Sequence, residues 1–228
     1  MFPLYDENKF RERPLVIWGL IAANVLAFLW ELNYTEWFLN EKALLTMLQN
    51  YGAIPARFAG NIDSETLFTL VSSMFLHGGF LHIIGNMVFL YIFGDNVEAK
   101  FGHAKFLLLY IIFGFAGALL QIFFAFLPGN DPSIPGIGAS AAISGVLGAY
   151  VIFFPFNRVI TFVFYFYFAR LVKIPAIFYL GFWFLLQFIN GAAGVSEGVG
   201  YWAHIGGFAA GFAVAGFAKV AGLARHEI

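Results

Sequence analysis

Uncharged, largely apolar stretches alternate along the chain with short segments that carry the charges. Six of these stretches are long enough to cross the roughly 30 Å hydrocarbon core of a bilayer, which takes about 17–25 helical residues. They occupy residues 14–30 and 66–94, the run between Lys105 and Asp131, and residues 132–157, 174–196 and 198–218. The pattern therefore predicts an all-α, polytopic membrane protein with six transmembrane helices.

The remaining segments divide the chain into one membrane domain and two tails. Residues 159–169 are apolar but too few to span, so we expect an interfacial or buried connection there. A long segment at about 32–66 includes NEKALLTMLQNYG, which predicts a short helix on the outer surface. We expect a cytoplasmic tail at 1–13, a six-helix domain at 14–222 and a second cytoplasmic tail at 223–228.

Basic residues collect on one side of this predicted topology. With the N-terminus inside, ten of the 12 Lys and Arg residues fall in inner segments, and only Lys42 and Arg57 fall in outer ones. Cytoplasmic loops are enriched in Lys and Arg. The charges therefore predict a multi-pass protein of the cell membrane with both termini in the cytoplasm.

Composition narrows the classes of chemistry. Only 11% of the residues are charged, against about 25% in soluble domains. The net charge of −1 gives no electrostatic footprint for nucleic acid. The chain has no cysteine, which excludes disulfides, thiolate metal sites and a cysteine nucleophile. We expect no metal and no cofactor; the expected partners are the lipid bilayer and transmembrane proteins.

Polar side chains within the apolar runs are expensive in a bilayer and are therefore candidates for function. In the predicted topology the second, fourth and sixth spans all run from outside to inside. They place His82 and Asn86, Ser140, and His204 at similar depth near the outer side. Three separate helices thus supply two imidazoles, a hydroxyl and an amide to one region.

These groups suit nucleophilic acyl transfer. Serine becomes a useful nucleophile when a neutral histidine takes its proton, and Ser140 and His204 supply that pair. No Asp or Glu lies in the six predicted spans, so a two-residue arrangement is expected. His82 and Asn86, spaced i and i+4, share one helix face. Together with the free backbone N–H of Ser140 they could stabilise an oxyanion.

Small residues at four-residue spacing could bring the pair together. They are Ala203, Gly207, Gly211 and Ala215 in the sixth span and Ala141, Gly145 and Ala149 in the fourth. Such faces allow membrane helices to approach closely. A short serine side chain needs this proximity to reach a histidine on another helix.

The motifs HIIGNMVFLYIFGDNVEAKFG, GASAAISGVLGAY and AHIGGFAAGF, in that order, resemble the rhomboid family of intramembrane serine proteases. So do YGAIPARF, SMFLHGGFLH and WFLLQ, and the likeness extends over about residues 50–217. The resemblance implies a rhomboid-like six-helix bundle that cleaves transmembrane substrates near their outer ends. It makes Ser140 the nucleophile, His204 the base, and His82 and Asn86 the oxyanion-site residues. Trp183 and Gln187 are candidates for a substrate gate, because they lie in the helix through which the family is thought to admit substrate. The family usually has Gly where Ala141 stands.

Other functions remain open from the sequence. A zinc protease would need a His-Glu-x-x-His motif, which is absent. A non-catalytic rhomboid-like binder of membrane helices is the main alternative, and a small transporter is a weaker one. For individual residues, Ser144 is expected to pack in the bundle or to bond back to a carbonyl, and His77 to cap or hydrate the outer end of the second span.

Overall fold

The computed structural model describes residues 2–8, 13–60, 62–165, 168–195 and 198–225. Within these ranges the chain forms eight α-helices and three β-strands, which we number in chain order. They are β1 (Phe2–Asp6), α1 (Leu15–Tyr34), α2 (Glu41–Tyr51), α3 (Ser64–Ser72), α4 (Phe80–Phe101), α5 (His103–Ala125), α6 (Ser140–Phe153), β2 (Arg158–Tyr165), β3 (Phe168–Pro175), α7 (Ala176–Ala192) and α8 (Tyr201–Val220). The predicted tails include residues 1, 9–12 and 226–228, which lie outside the described residues.

Six of the helices are strongly apolar, one in each predicted span. By length and composition α1, α4, α5 and α8 can cross a membrane, whereas α6 and α7 are shorter apolar helices. The 14 residues of α6 extend about 21 Å. The predicted fourth span began at Pro132, but Pro135 and the positive φ of Gly138 (117°) delay the helix until Ser140.

The second predicted span, 66–94, is not one continuous helix. It is divided into α3, a 3₁₀ turn at Ser73–Phe75 and α4. Gly79, with φ of 150°, stands immediately before α4. His77 therefore lies in the link between the helices and is fully buried there.

A three-stranded antiparallel sheet, ordered β1-β2-β3, corrects the all-α prediction. The connection expected at 159–169 is a hairpin, in which Val159 pairs with Ile174 and Phe162 with Leu171. The run VITFVFY is rich in β-branched and aromatic residues, which favour strands. The strand β1 joins β2, pairing Phe2 with Phe162 and Asp6 with Val159. The fold is thus mostly helical, with a small sheet.

The helix α6 is the centre of the bundle, and its residues 141–151 are all buried. The predicted close packing of small residues against α8 is confirmed. A Cβ added to Gly207 would lie 1.9 Å from the carbonyl oxygen of Ala141, and one added to Gly211 would lie 1.8 Å from that of Gly145. The two backbones are therefore in direct contact.

The helix ends opposite Ser140 are joined by polar contacts. The buried carboxylate of Glu98 accepts hydrogen bonds from the backbone N–H groups of Val16 and Ile17 at 2.9 Å, which caps the start of α1. At the end of α8, Lys219 donates to the carbonyl of Ile152 at the end of α6. The starts of α4, α6 and α8 consequently share the other end of the bundle.

Candidate active site

Ser140 is the first residue of α6, and the loop before it is held from two sides. Gly136 and Ala53 exchange two backbone hydrogen bonds of 2.8 and 3.0 Å. The N–H of Gly138 donates to the carbonyl of Ser73 at 2.8 Å. The Ser140 backbone N–H, at the first position of the helix, has no intrahelical acceptor. The hydroxyl therefore stands at a fixed helix start, where the helix dipole favours negative charge.

His204 lies in the first turn of α8 and contacts Ser140. Its Nε2 is 2.8 Å from Ser140 Oγ. The other ring nitrogen, Nδ1, is 2.8 Å from Gln187 Oε1 on α7. Both Ser140 and His204 are half-buried. The helices α6, α7 and α8 thus each contribute one residue to a chain of hydrogen bonds.

His82 lies in the first turns of α4, and its ring is oriented by the backbone. The N–H of Gly78 points at His82 Nδ1, at 3.3 Å. Because Nδ1 accepts this hydrogen bond, the neutral imidazole carries its proton on Nε2 and is a donor there. Asn86, one turn further along, is buried, and its Nδ2 has no partner among the described residues. Each side chain therefore retains a hydrogen-bond donor for another acceptor.

Gly138 separates His82 from Ser140. A Cβ added to Gly138 would lie 2.7 Å from His82 Nε2 and 3.6 Å from Ser140 Oγ. The φ of Gly138, 117°, is also one that only glycine adopts readily. The glycine consequently keeps open the space between the imidazole donor and the serine hydroxyl.

The structure assigns other contacts to several residues singled out in the sequence. Ser144 Oγ donates to the carbonyl of Ser140 at 2.6 Å, as predicted. Trp183, considered as a substrate gate, has its ring centroid 5.8 Å from that of His204. Gln187, considered with it, is buried against His204. The i to i+4 spacing indicated that Trp183 and Gln187 share one face of α7, but it did not indicate that this face contacts His204.

A buried carboxylate near the site was missed. The apolar run ended at Trp30, so Glu31 was placed at a boundary, whereas α1 continues to Tyr34. Glu31 is 0% exposed, and both its oxygens lie 3.1 Å from the backbone nitrogen of His77. The expectation that the spans hold no acidic residue is wrong for this helix, as it is for Asp95 and Glu98 in α4. Glu31 binds the link before α4 rather than His204.

Metal ligands are not grouped in the described part of the chain. No cluster of three or more His, Cys, Asp or Glu side chains there has the spacing to hold an ion. The polar groups at the start of α6 are a serine hydroxyl, an imidazole in contact with it and two further side-chain donors. This arrangement suits acyl transfer.

Fold and site together define a helical membrane protein with a serine and a histidine in contact. The Rhomboid domain model matches residues 64–219, most of the chain. The chain therefore belongs to the rhomboid family. Family membership and the apolar helices together indicate a membrane protein.

Similar proteins occur in plants and in yeast. The chain is 36% identical over 165 residues to RHOMBOID-like protein 4 of Arabidopsis thaliana, covering 72% of this chain and 37% of that protein. It is 34% identical over 151 residues to the mitochondrial RHOMBOID-like protein 6 of the same plant (66% and 43%). It is 30% identical over 150 residues to the mitochondrial Rhomboid protein 1 of Saccharomyces cerevisiae (65% and 39%). The chain thus spans about two fifths of the length of these relatives.

Proposed function

We propose that this chain is an intramembrane serine endopeptidase that cleaves transmembrane proteins near the outer side of the membrane. The observation that carries the proposal is the 2.8 Å contact between His204 Nε2 and Ser140 Oγ. This distance lies within the reach of proton transfer between a nucleophile and its base.

The proposed reaction proceeds through an acyl-enzyme. Ser140 Oγ attacks the scissile carbonyl carbon while His204 Nε2 takes the hydroxyl proton. His204 then returns that proton to the leaving amine as the peptide C–N bond breaks. A water molecule, activated in the same way, hydrolyses the ester and regenerates the serine.

The oxyanion formed in each step needs donors. His82 Nε2–H, Asn86 Nδ2 and the Ser140 backbone N–H fill this role in the proposal. Support comes from Asn86 Nδ2, which has no hydrogen-bond partner in the described part of the chain, and from the position of Gly138 between His82 and Ser140. Asn86→Ala should lower kcat about 10²–10³-fold with little change in KM, as removal of an oxyanion donor does.

The proposed topology has six spans, α1, α4, α5, α6, α7 and α8. Two observations support this topology. The ends of successive spans alternate between the two sides of the bundle, and the basic residues Lys100, Lys219 and Arg225 lie at the end opposite Ser140. The positive-inside rule then places that end in the cytoplasm and the site toward the outer side. Cysteines introduced singly at the two ends, tested with a membrane-impermeant thiol reagent, check this orientation.

The test of the proposed function is cleavage of tagged single-span proteins in liposomes. Ser140→Ala and His204→Ala should each abolish cleavage and leave the fold intact, since the two side chains form the reacting pair. Ser144→Ala is the matched control, one helical turn further along, and should remain active. A fluorophosphonate should label Ser140. Cleavage by purified Ser140→Ala at the wild-type rate would show that another residue is the nucleophile.

The same experiment addresses the main alternative, a non-catalytic binder of membrane helices. Such a protein would retain the substrate in a pull-down but leave it intact, and Ser140 would not react with the fluorophosphonate. Release of a cut fragment by the wild type but not by Ser140→Ala excludes that alternative.

A further inference from the structure

Gln187 occupies the place behind His204 that a third catalytic-triad residue takes in soluble serine proteases. Its Oε1 lies 2.8 Å from Nδ1 of His204, on the opposite side of the ring from Ser140. On the basis of the proposed function, we infer that Gln187 is the positioning residue of a Ser140–His204–Gln187 relay. In this role it fixes the tautomer and the orientation of the base.

The orientation of the Gln187 amide follows from its second contact. Its Nε2 donates to the carbonyl of Trp183 at 3.4 Å. Rotating the amide by 180° would set its oxygen against that carbonyl oxygen and its NH₂ group against His204. Only the unrotated amide satisfies both contacts, so Gln187 presents an acceptor to the imidazole.

An acceptor at Nδ1 decides which nitrogen of His204 carries the proton. The neutral ring has one N–H, and Gln187 Oε1 requires it on Nδ1. Nε2 is then unprotonated and accepts the hydrogen bond from the Ser140 hydroxyl. This is the tautomer that a general base needs, and holding it is what the aspartate does in the aspartate-containing triads.

Burial explains why a neutral amide can take this position. Gln187 is 9% exposed, on a strongly apolar helix. A carboxylate at such a place must lose its hydration, which costs several kcal/mol unless it is fully paired. The amide orients the ring without placing a charge in the bundle. Burial against His204 also separates this role from that of a substrate gate, whose side chain must reach the substrate.

Two substitutions of Gln187 test the relay. Gln187→Met keeps the length of the side chain but removes the acceptor, and we expect kcat to fall about 10–100-fold, a part of the 10²–10⁴-fold that general base catalysis supplies. KM should remain unchanged within about threefold, because no substrate contact is removed. Gln187→Glu restores an acceptor and should rescue kcat, with the acidic limb of the pH–kcat profile moved to higher pH, since a carboxylate favours the protonated imidazole.

Gln121 provides the matched control. Its Oε1 accepts a hydrogen bond from the backbone N–H of Ala203, beside His204 but not at the ring. Gln121→Met should therefore lose some thermal stability while its pH–kcat profile keeps the wild-type shape. A merely structural role for Gln187 would make the two methionine variants behave alike, which would overturn the inference.

A measurement without turnover separates this inference from the proposed function. The ¹⁵N shifts of the His204 ring in a Ser140→Ala protein should show the proton on Nδ1, and Gln187→Met should shift the population toward Nε2. A ring protonated on Nε2 in the presence of Gln187 refutes the relay, whatever the activity. Equally, an active wild type whose Gln187→Met variant shows unchanged kcat and raised KM identifies Gln187 as a substrate contact. An inert wild type with unreactive Ser140 refutes the proposed function instead.

Discussion

Adding one methyl group at Gly207 should separate Ser140 from His204, the proposed nucleophile and base. Gly207 is one helical turn beyond His204, and its Cβ would lie 1.9 Å from the carbonyl oxygen of Ala141, the residue after Ser140. The two nearest atoms, the oxygen and the carbon of the Ala141 carbonyl, belong to the helix backbone and cannot move away by a rotamer change. In Gly207→Ala the helices α6 and α8 must therefore move apart at the level of the site.

The size of the movement can be estimated from the contact. Carbon and oxygen atoms at this position need about 3 Å, so the helices must separate by about 1 Å locally, because packed interiors have no slack to absorb the clash. The distance from His204 Nε2 to Ser140 Oγ, 2.8 Å in the structure, would then approach about 4 Å, beyond hydrogen-bond length. Misplacement of a reacting group by about 1 Å can lower a rate about 10²-fold.

The assay is cleavage of a tagged single-span protein in liposomes by Gly207→Ala, with Gly216→Ala as the matched control. Gly216 lies on the same helix, and its added Cβ meets no atom of the described residues within 4 Å. The control should keep its activity and gain up to about 1 kcal/mol of stability from the better helix former. If Gly207→Ala folds and cleaves within a few-fold of the wild type, close backbone contact is not what positions the pair.

Three further predictions concern polar groups outside the proposed reacting pair, Ser140 and His204. Burial raises the pKa of Asp6 from 3.8 to about 6, although hydrogen bonds from Tyr150 and Asn96 oppose the shift. The contribution of Asp6 to the unfolding free energy is therefore fully present below pH 3.8 and is lost as the pH rises through about 6. The loss is at most about 3 kcal/mol. Amide exchange in β1, corrected for the intrinsic rate, should accelerate from pH 5 to 7.5. Asp6→Asn should weaken this dependence, and an unchanged dependence in Asp6→Asn would assign it to another group. Glu98→Leu leaves two N–H groups of α1 without this acceptor and should lower the unfolding free energy by about 1–3 kcal/mol for each. Glu98→Gln keeps an acceptor oxygen, so its unfolding free energy should fall less. Equal thermal midpoints for the two variants would contradict the capping role. Glu31→Leu frees the His77 amide and should loosen the link that orients His82, a proposed oxyanion donor. Because misplaced groups lose rate, we expect kcat to fall about tenfold. Glu31→Gln keeps an acceptor and should retain activity, and similar kinetics in the two variants would refute this role.

The sequence predicted the helices better than their interruptions. Apolar runs locate membrane-length helices because lipid requires every backbone group to be bonded internally. Hydropathy alone does not distinguish one helix from two joined by a buried link, so the break around His77 was not foreseen. The hairpin was missed for a related reason. In VITFVFY both faces of the strand are apolar, and the period of two that identifies a half-buried strand is absent.

The candidate site shows the same division between composition and geometry. Ser140, His204, His82 and Asn86 could be selected because polar groups in apolar spans are costly and these four fall at one depth. Gln187 was selected too, but spacing along α7 does not determine which residue of α8 it meets. Glu31 illustrates the opposite failure, since its charge ended the apolar run in which it is buried. The structural role of a polar residue at the end of a membrane helix therefore does not follow from the sequence alone. Its role depends on the backbone group opposite, here the His77 amide, which only the packing of α1 against the α3–α4 link brings into reach.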